Sequence, residues 1–309
     1  MSHDGFPEGV VVLDKPAGLT SQQAVNRVKH RLADQAGVPA RRLKVGHAGT
    51  LDPMATGVLV VGVGRATRLL GYIAGHDKRY EATIRLGQAT TTDDAEGEPL
   101  GEPIDATRVS DEAIGQAIAP LTGDIEQVPS AVSAIKVDGK RAYALARAGE
   151  TVVLKPRQVT VSRFEVVTRH DDDPFCDIDV VVECSSGTYV RALARDLGAS
   201  LGVGGHLTAL RRTRVGIFGV AGAAGLDTVT VADIRGLDDV VGELFPVVQV
   251  MGDRWDDVRH GRALSFAQAG ELVAVFGSRD GGKDTFMALY RPEGNRFVPA
   301  AVFVDDEGA

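Results

Sequence analysis

Gly46-His47-Ala48-Gly49-Thr50-Leu51-Asp52-Pro53-Met54-Ala55-Thr56-Gly57 runs directly into Val58-Leu59-Val60-Val61. Three glycines and a proline within twelve residues predict an ordered loop. The apolar, mostly β-branched residues behind it predict a buried strand. Pro53 disfavours helical backbone at Asp52 and brings no N–H of its own. Asp52 is therefore a carboxylate held in a fixed direction on a loop that feeds the core. For an Asp-Pro met in isolation, an Asx turn is the ordinary role. The length of the surrounding string points beyond a turn.

The whole chain of 309 residues sets the bounds. It is long enough for one large domain or two with a sizeable core. Apolar residues at 44% and charged residues at 25% are ordinary for a globular protein. No apolar run approaches the length of a membrane span, and Met1-Ser2-His3-Asp4-Gly5 lacks the pattern of a signal peptide. With Cys176 and Cys184 as the only cysteines, neither a disulfide framework nor a zinc site is expected, and the cytoplasm is the expected compartment. The net charge of −8 is unevenly spread. Residues 1–92 carry 12 Lys and Arg against 7 Asp and Glu, whereas residues 93–309 carry 22 against 35. The basic surplus lies in the part that holds Asp52, which fits either an RNA-facing surface or unevenly spread solvated charge.

Gly9–Leu13 predicts a strand. Asp14-Lys15-Pro16-Ala17-Gly18-Leu19-Thr20-Ser21 turns into a helix whose Thr20 and Gln23 have capping-box spacing and whose Ala24, Val25, Val28 and Leu32 form an apolar stripe. This turn is expected to brace the Asp52 loop. Arg41, Arg42 and Lys44 stand just ahead of that loop and suit phosphates. Gly62-Val63-Gly64-Arg65-Ala66-Thr67 hints at a dinucleotide turn, but its third glycine is missing and no βαβ repeat follows. Lys78–Gly87, Val159–Val167 and Cys176–Cys184 predict strands, the last two joined by a loop holding Asp171-Asp172-Asp173. Amphipathic helices are predicted near Asp111–Leu121 and Ala192–Leu197. From about Phe245-Pro246 the pattern changes to short β-like runs at Leu272–Phe276, Thr285–Tyr290 and Phe297–Val304.

The string G-H-A-G-T-L-D-P-M-A-T-G-V-L resembles the signature of the bacterial TruB family of pseudouridine synthases, which modify the T loop of transfer RNA. Further resemblances are D-K-P-A-G-L-T-S at Asp14–Ser21, K-R-Y…L-G at Lys78–Gly87, Val128–Tyr143, G-T-Y-V-R at Gly187–Arg191, and His206–Gly216. The resemblance implies an α+β pseudouridine synthase fold over residues 1–245, with a central mixed, mainly antiparallel sheet flanked by helices and loops. It also implies a small β-rich PUA-like RNA-binding domain over 246–309. Under it, Asp52 is the catalytic nucleophile, Arg191 holds its carboxylate, and Tyr80 stacks on the target base and serves a late proton transfer. His47 fills the space that the flipped uridine leaves. Lys136, Lys140 and Arg141 belong to an RNA-gripping segment, and Leu210, Arg211 and Arg212 join Arg41, Arg42 and Lys44 as RNA contacts. The implied reaction converts uridine 55 in the T arm of tRNA to pseudouridine. It has no redox step, so no cofactor, no metal, no membrane and no obligatory protein partner are expected. A second role in tRNA folding is compatible with it. Whether Asp52 attacks C1′, attacks C6 or assists elimination to a glycal stays open at this level. Two rivals remain: an RNA-binding folding factor for which Asp52 is dispensable, and a nucleotide-cofactor enzyme built on Gly62–Thr67.

Overall fold

The computed structural model describes residues 8–130, 136–137, 140–141, 154–266, 271–278 and 282–304, with backbone only at 136–137 and 140–141. The central elements are β1 (Gly9–Lys15), α1 (Ser21–Gln35), β2 (Val45–Ala48), β3 (Thr56–Val63), β4 (Lys78–Leu86), α2 (Asp111–Ile118), β5 (Gly123–Gln127), β6 (Arg157–Asp172), β7 (Phe175–Cys184), α3 (Val190–Ser200) and β8 (Gly205–Val215). They build a sheet in the order β1-β3-β8-β4-β7-β6-β5, with β2 also paired to β3. Neighbours are antiparallel except β3 and β8, which run parallel over Thr56↔Arg211 and Gly57↔Arg212. The sheet is thus mixed and mainly antiparallel.

β1 and β3 are almost continuous runs of Val, Leu and Gly because both of their faces are covered. Alternation along the strand sends Val11, Leu13, Leu59 and Val61 to one core, where they meet Ala24, Val25, Val28 and Leu32 of α1. It sends Val10, Val58 and Val60 to a second core on the opposite face. The capping box at Thr20 is present in both directions and fixes where α1 starts.

That second core is shared with the C-terminal strands. α4 (Leu237–Leu244) leads to β9 (Val247–Val250), helix α5 (Asp253–Arg259), β10 (Val273–Gly277), β11 (Thr285–Glu293) and β12 (Arg296–Val302). The four strands form a separate sheet in the order β9-β10-β11-β12. Ala274, Phe276, Phe286, Leu289 and Phe303 pack in the same cluster as Val10, Val58, Val60, Leu69 and Ile73. Phe286 stacks between Phe276 and Phe303, with centroids 5.7 and 4.8 Å away. Arg65 donates to the Phe303 carbonyl at 2.7 Å, and the guanidinium of Arg68 lies 4.5 Å over the Phe303 ring.

Three local expectations are adjusted. The Gly46–Gly57 stretch is not loop throughout, since its two ends pair as β2 and β3 and leave only residues 49–55 between them. Asp171 and Asp172 belong to the β6–β7 hairpin ladder, with Asp172 opposite Phe175, so the acidic loop shrinks to a tight turn. The Gly62–Thr67 stretch leads into a 3₁₀ turn, Gly64–Arg68, after a strand whose nearest long partners are antiparallel. It lacks the α-helix N-terminus that a dinucleotide turn uses to hold phosphates.

Candidate active site

Asp52 sits in the connection between β2 and β3, and its neighbours are tied down individually. Ser21 Oγ donates to the Leu51 carbonyl at 3.0 Å and accepts from the Leu51 N–H at 2.8 Å. Gly18 N–H donates to the Pro53 carbonyl at 2.8 Å. The fully buried Lys15 ammonium donates to Leu19 O at 2.8 Å, Pro16 O at 2.9 Å and Pro53 O at 3.3 Å. The Asp14–Ser21 string therefore braces the Asp52 loop, as its position suggested. Burial pulls the Lys15 ammonium down to about 8, against the opposing pull of the Asp52 carboxylate.

From the other side, β8 holds both ends of the same loop with one guanidinium. Arg212 is 1% exposed. It donates to Gly49 O at 3.0 Å, Thr50 O at 3.4 Å and Val58 O at 2.8 Å. β3 and β8 approach closely enough here that only glycine fits at position 57. Its φ is +98°, and a Cβ there would lie 2.2 Å from the Arg212 carbonyl oxygen.

α3 brings the cation. Arg191, in its first turn and 4% exposed, places Nε 3.0 Å from Asp52 Oδ2 and Nη1 3.3 Å from Asp94 Oδ2, and donates to Thr92 O at 2.9 Å. One guanidinium thus bridges two carboxylates. Asp94 is as buried as the arginine, whereas Asp52 is 35% exposed through the mouth of a pocket. Burial raises the Asp52 carboxyl above the ordinary carboxylate range. Arg191 opposes the rise and Asp94 adds to it. The ion pair orients Asp52 without fully cancelling its desolvation.

The pattern extends one turn along α3. Arg195 meets Asp93 at 3.3 Å and the Val128 carbonyl at 2.8 Å. Asp93 holds a left-handed backbone with φ of 61°. Gln127 donates to Tyr189 O at 3.1 Å and accepts from Tyr189 N–H at 2.8 Å, locking the start of α3 to the end of β5.

The pocket above Asp52 has a cavity volume of about 270 Å³. Thr50, Leu51 and Asp52 form one wall, Gly187–Arg191 another, and Ala74, Lys78, Tyr80, Leu210 and Arg212 the remainder. Tyr80 and Lys78 share the buried phase of β4. Burial raises the Tyr80 phenol, and Arg212, which hydrogen-bonds it, opposes that rise. His47 lies half-buried on β2, opposite Val61. Burial and the Arg212 charge lower its pKa, favouring the neutral ring, while backbone at Gly49 opposes them.

The sequence-derived residues fall into three groups. Asp52, Tyr80, Arg191, Leu210 and Arg212 converge on one pocket. Arg41, Arg42 and Lys44 are exposed on and beside the Ala40–Arg42 turn that leads into β2. Lys136, Lys140 and Arg141 lie on a two-residue ladder, Lys136↔Arg141 and Val137↔Lys140, and their side chains are outside the described residues. Arg211 and Arg212 both have partners within the protein. Arg211 forms a bidentate pair with Asp14 at 3.0 and 2.7 Å, and Arg212 is spent on the Asp52 loop. Asp94, Lys78 and Gln127 were not singled out from sequence. Only Lys78 left a signal, since it is in phase with Tyr80, Ala82, Ile84 and Leu86. Among the described residues no cluster of three or more His, Cys, Asp or Glu is arranged to hold a metal ion, and no helix is long and apolar enough to cross a membrane.

Comparison with known proteins bears on this pocket. Residues 38–190 match the model of the TruB family pseudouridylate synthase N-terminal domain, and residues 191–244 match that of the tRNA pseudouridylate synthase B C-terminal domain. The chain is 53% identical over 289 residues to a tRNA pseudouridine synthase B of Cutibacterium acnes, covering 92% of this chain and 93% of that one. It is 57% identical over 259 residues to the protein of that name from Rhodococcus jostii, covering 83% and 82%. Among solved structures it resembles a chain of a Cbf5-Nop10-Gar1 complex, with 26% identity, a TM-score of 0.66, and 98% and 88% of the two chains covered. It also shares its fold with a chain of an H/ACA RNP bound to a substrate RNA containing 2′-deoxyuridine, at 24% identity and a TM-score of 0.67, with 99% and 92% covered.

Proposed function

This chain belongs to the TruB family of pseudouridylate synthases, and we propose that it converts uridine 55 in the T arm of tRNA to pseudouridine with Asp52 as its nucleophile. The observation that carries this reading is the 3.0 Å contact between Arg191 Nε and Asp52 Oδ2 at the floor of a pocket whose size suits a single base. A carboxylate that must attack carbon has to be ionised, aimed and reachable. Arg191 favours the ion and fixes its direction, and the pocket mouth leaves it accessible. The target uridine leaves its stack to enter, at a cost of about a few kcal/mol. Tyr80 offers its ring to the flipped base and its hydroxyl to the proton leaving C5. His47, held neutral on β2 before the loop, occupies the space vacated in the RNA.

Arg41, Arg42 and Lys44 supply phosphate contacts, and the C-terminal four-stranded sheet acts as a PUA-like RNA-binding domain beginning near Pro246. The direct test incubates the protein with unmodified tRNA and maps pseudouridine by carbodiimide treatment and primer extension. Wild type is expected to give one stop, at position 55. Asp52→Asn is expected to give none while binding tRNA within about tenfold of wild type. Turnover by the variant, or a stop at another position, overturns the assignment.

A further inference from the structure

The cations that line the pocket differ in their partners. Arg191 is balanced by two carboxylates. Lys78, 6% exposed, and Arg212 also line it, and among the described residues neither has an acidic group within 4 Å. Lys78 Nζ donates to Ala74 O at 2.8 Å and His76 O at 2.6 Å, leaving one N–H over. Three contacts to backbone carbonyls and the hydrogen bond with Tyr80 occupy part of the five-donor fork of Arg212. Gly49 lies between them. A Cβ there would touch both, 3.5 Å from Arg212 Nη1 and 3.7 Å from Lys78 Cε, and both residues line the cavity.

Two buried cations side by side without an acid oppose folding. Burial first, and then the Arg212 charge, draws the Lys78 ammonium down to about 8, against a weaker opposing pull from Asp77. An anion placed between them relieves both. Resting uridine is neutral, but the reaction makes the base anionic. If the C1′–N1 bond breaks, its electron pair goes to N1 and the charge spreads to O2 and O4. C1′ is then either joined to the Asp52 carboxylate or, after loss of the 2′ proton, part of a glycal. If Asp52 instead adds at C6, the C5=C6 pair moves to O4. Every route thus charges the oxygens of the ring. The charge leaves when C5 bonds to C1′: the C1′–O bond to Asp52 breaks and returns its pair to the carboxylate, or the glycal takes back its 2′ proton, or, in the C6 adduct, the C1′–N1 bond breaks and its pair goes to N1. C5 then gives up its proton and N1 takes one, with Asp52 leaving C6 in the last case.

We propose that Lys78 and Arg212 form a cationic wall that stabilises the uracil anion generated during isomerisation. The inference rests on the pseudouridine synthase reading above. Because the charge exists only during reaction, the wall stabilises the transition state more than bound substrate and raises the rate rather than the affinity.

The test uses single-turnover kinetics at saturating tRNA on full-length protein. Lys78→Gln retains N–H donors for the Ala74 and His76 carbonyls but removes the charge, and Lys78→Arg restores a charge. Lys78→Gln is expected to lose about 10²- to 10³-fold in rate, the scale of losing one preorganised donor to an oxyanion. Its tRNA Kd should stay within about threefold, and Lys78→Arg should recover at least about tenfold of the loss. On tRNA carrying 5-fluorouridine at the target, whose ring bears negative charge more readily, the Lys78→Gln deficit should shrink by about tenfold or more, read as disappearance of the N-linked nucleoside. A Lys78→Gln rate within threefold of wild type, an equal deficit on both substrates, or a weakened Kd with the rate intact (a phosphate contact) would each overturn the proposal. If Lys78→Gln fails to fold, the near-isosteric neutral Lys78→Met carries the same test, and a deficit equal on the two substrates overturns the proposal. Failure of the wild type to make any pseudouridine would refute the underlying reading instead, and is scored separately.

Discussion

Removing Arg191 separates its two duties, because its two carboxylates differ in burial. Asp94 is 4% exposed and Asp52 is 35% exposed. In Arg191→Ala, Asp94 is left as a buried acid without its cation, which costs about 3–5 kcal/mol of folding stability. The Asp52 half adds little, since water reaches that carboxylate and screens it. In the double variant Arg191→Ala/Asp94→Asn no buried charge is stranded, so most of the lost stability should return. Activity should not return with it, because Asp52 still lacks the guanidinium that orients it. Urea denaturation gives the stability arm, and single-turnover pseudouridine formation gives the activity arm. The expected pattern is a coupling energy of at least about 2 kcal/mol in stability between positions 191 and 94, with both arginine variants down by about 10²-fold or more in rate. A double variant as unstable as Arg191→Ala would refute the bridging role. One as active as wild type would refute the orientation of Asp52 by Arg191.

Asp94→Asn removes the like charge that pushes the Asp52 carboxyl up. Activity that needs ionised Asp52 falls as pH drops through its raised pKa, so the acid limb of the rate should move to lower pH in this variant, and a limb that stays or moves up contradicts the assignment. Substituting Arg41, Arg42 and Lys44 together with alanine should lower the slope of log affinity against log salt by about 2 to 3, and an unchanged slope removes them from the phosphate contacts. Phe286→Ala should cost about 3–5 kcal/mol by urea denaturation, because the ring is buried between two others in the core shared by the two sheets. For the same reason, cutting the chain after Pro246 should destabilise what remains by uncovering the apolar back of β1 and β3, and a truncated protein as stable as the whole would show that the shared core contributes little.

What the sequence made legible was mostly local. The Thr20–Gln23 cap, the β-branched runs of β1 and β3, and the Gly-Pro punctuation around Asp52 each act within a few residues, and the structure has them close to where they were read. The Asp52–Arg191 pair joins residues 139 apart in sequence and was reachable only through the family resemblance. Asp94 left no trace, since an acid beside another acid in a threonine-rich turn is ordinarily solvated, and its burial arises only when α3 lands on it. The partners of Arg211 and Arg212 within the protein were equally out of reach of local pattern. Adjacent arginines are ordinarily surface groups, but the parallel pairing of β8 with β3 turns one towards Asp14 and the other into the loop.

That parallel step between β3 and β8 also sets where the protein tolerates being lengthened. Adjacent side chains on a strand face opposite ways, so one extra residue in β8 ahead of position 212 would present Arg211 to the loop and swing Arg212 outward, losing the clasp on Gly49 and Val58 together with the charge beside Lys78. The β6–β7 hairpin turn, at the opposite end of the chain's long antiparallel ladder, carries no such double duty. A peptide tag or a fused module inserted between Asp172 and Phe175 should leave catalysis untouched, whereas a single-residue insertion between Leu210 and Arg212 should abolish it even where the sheet still forms.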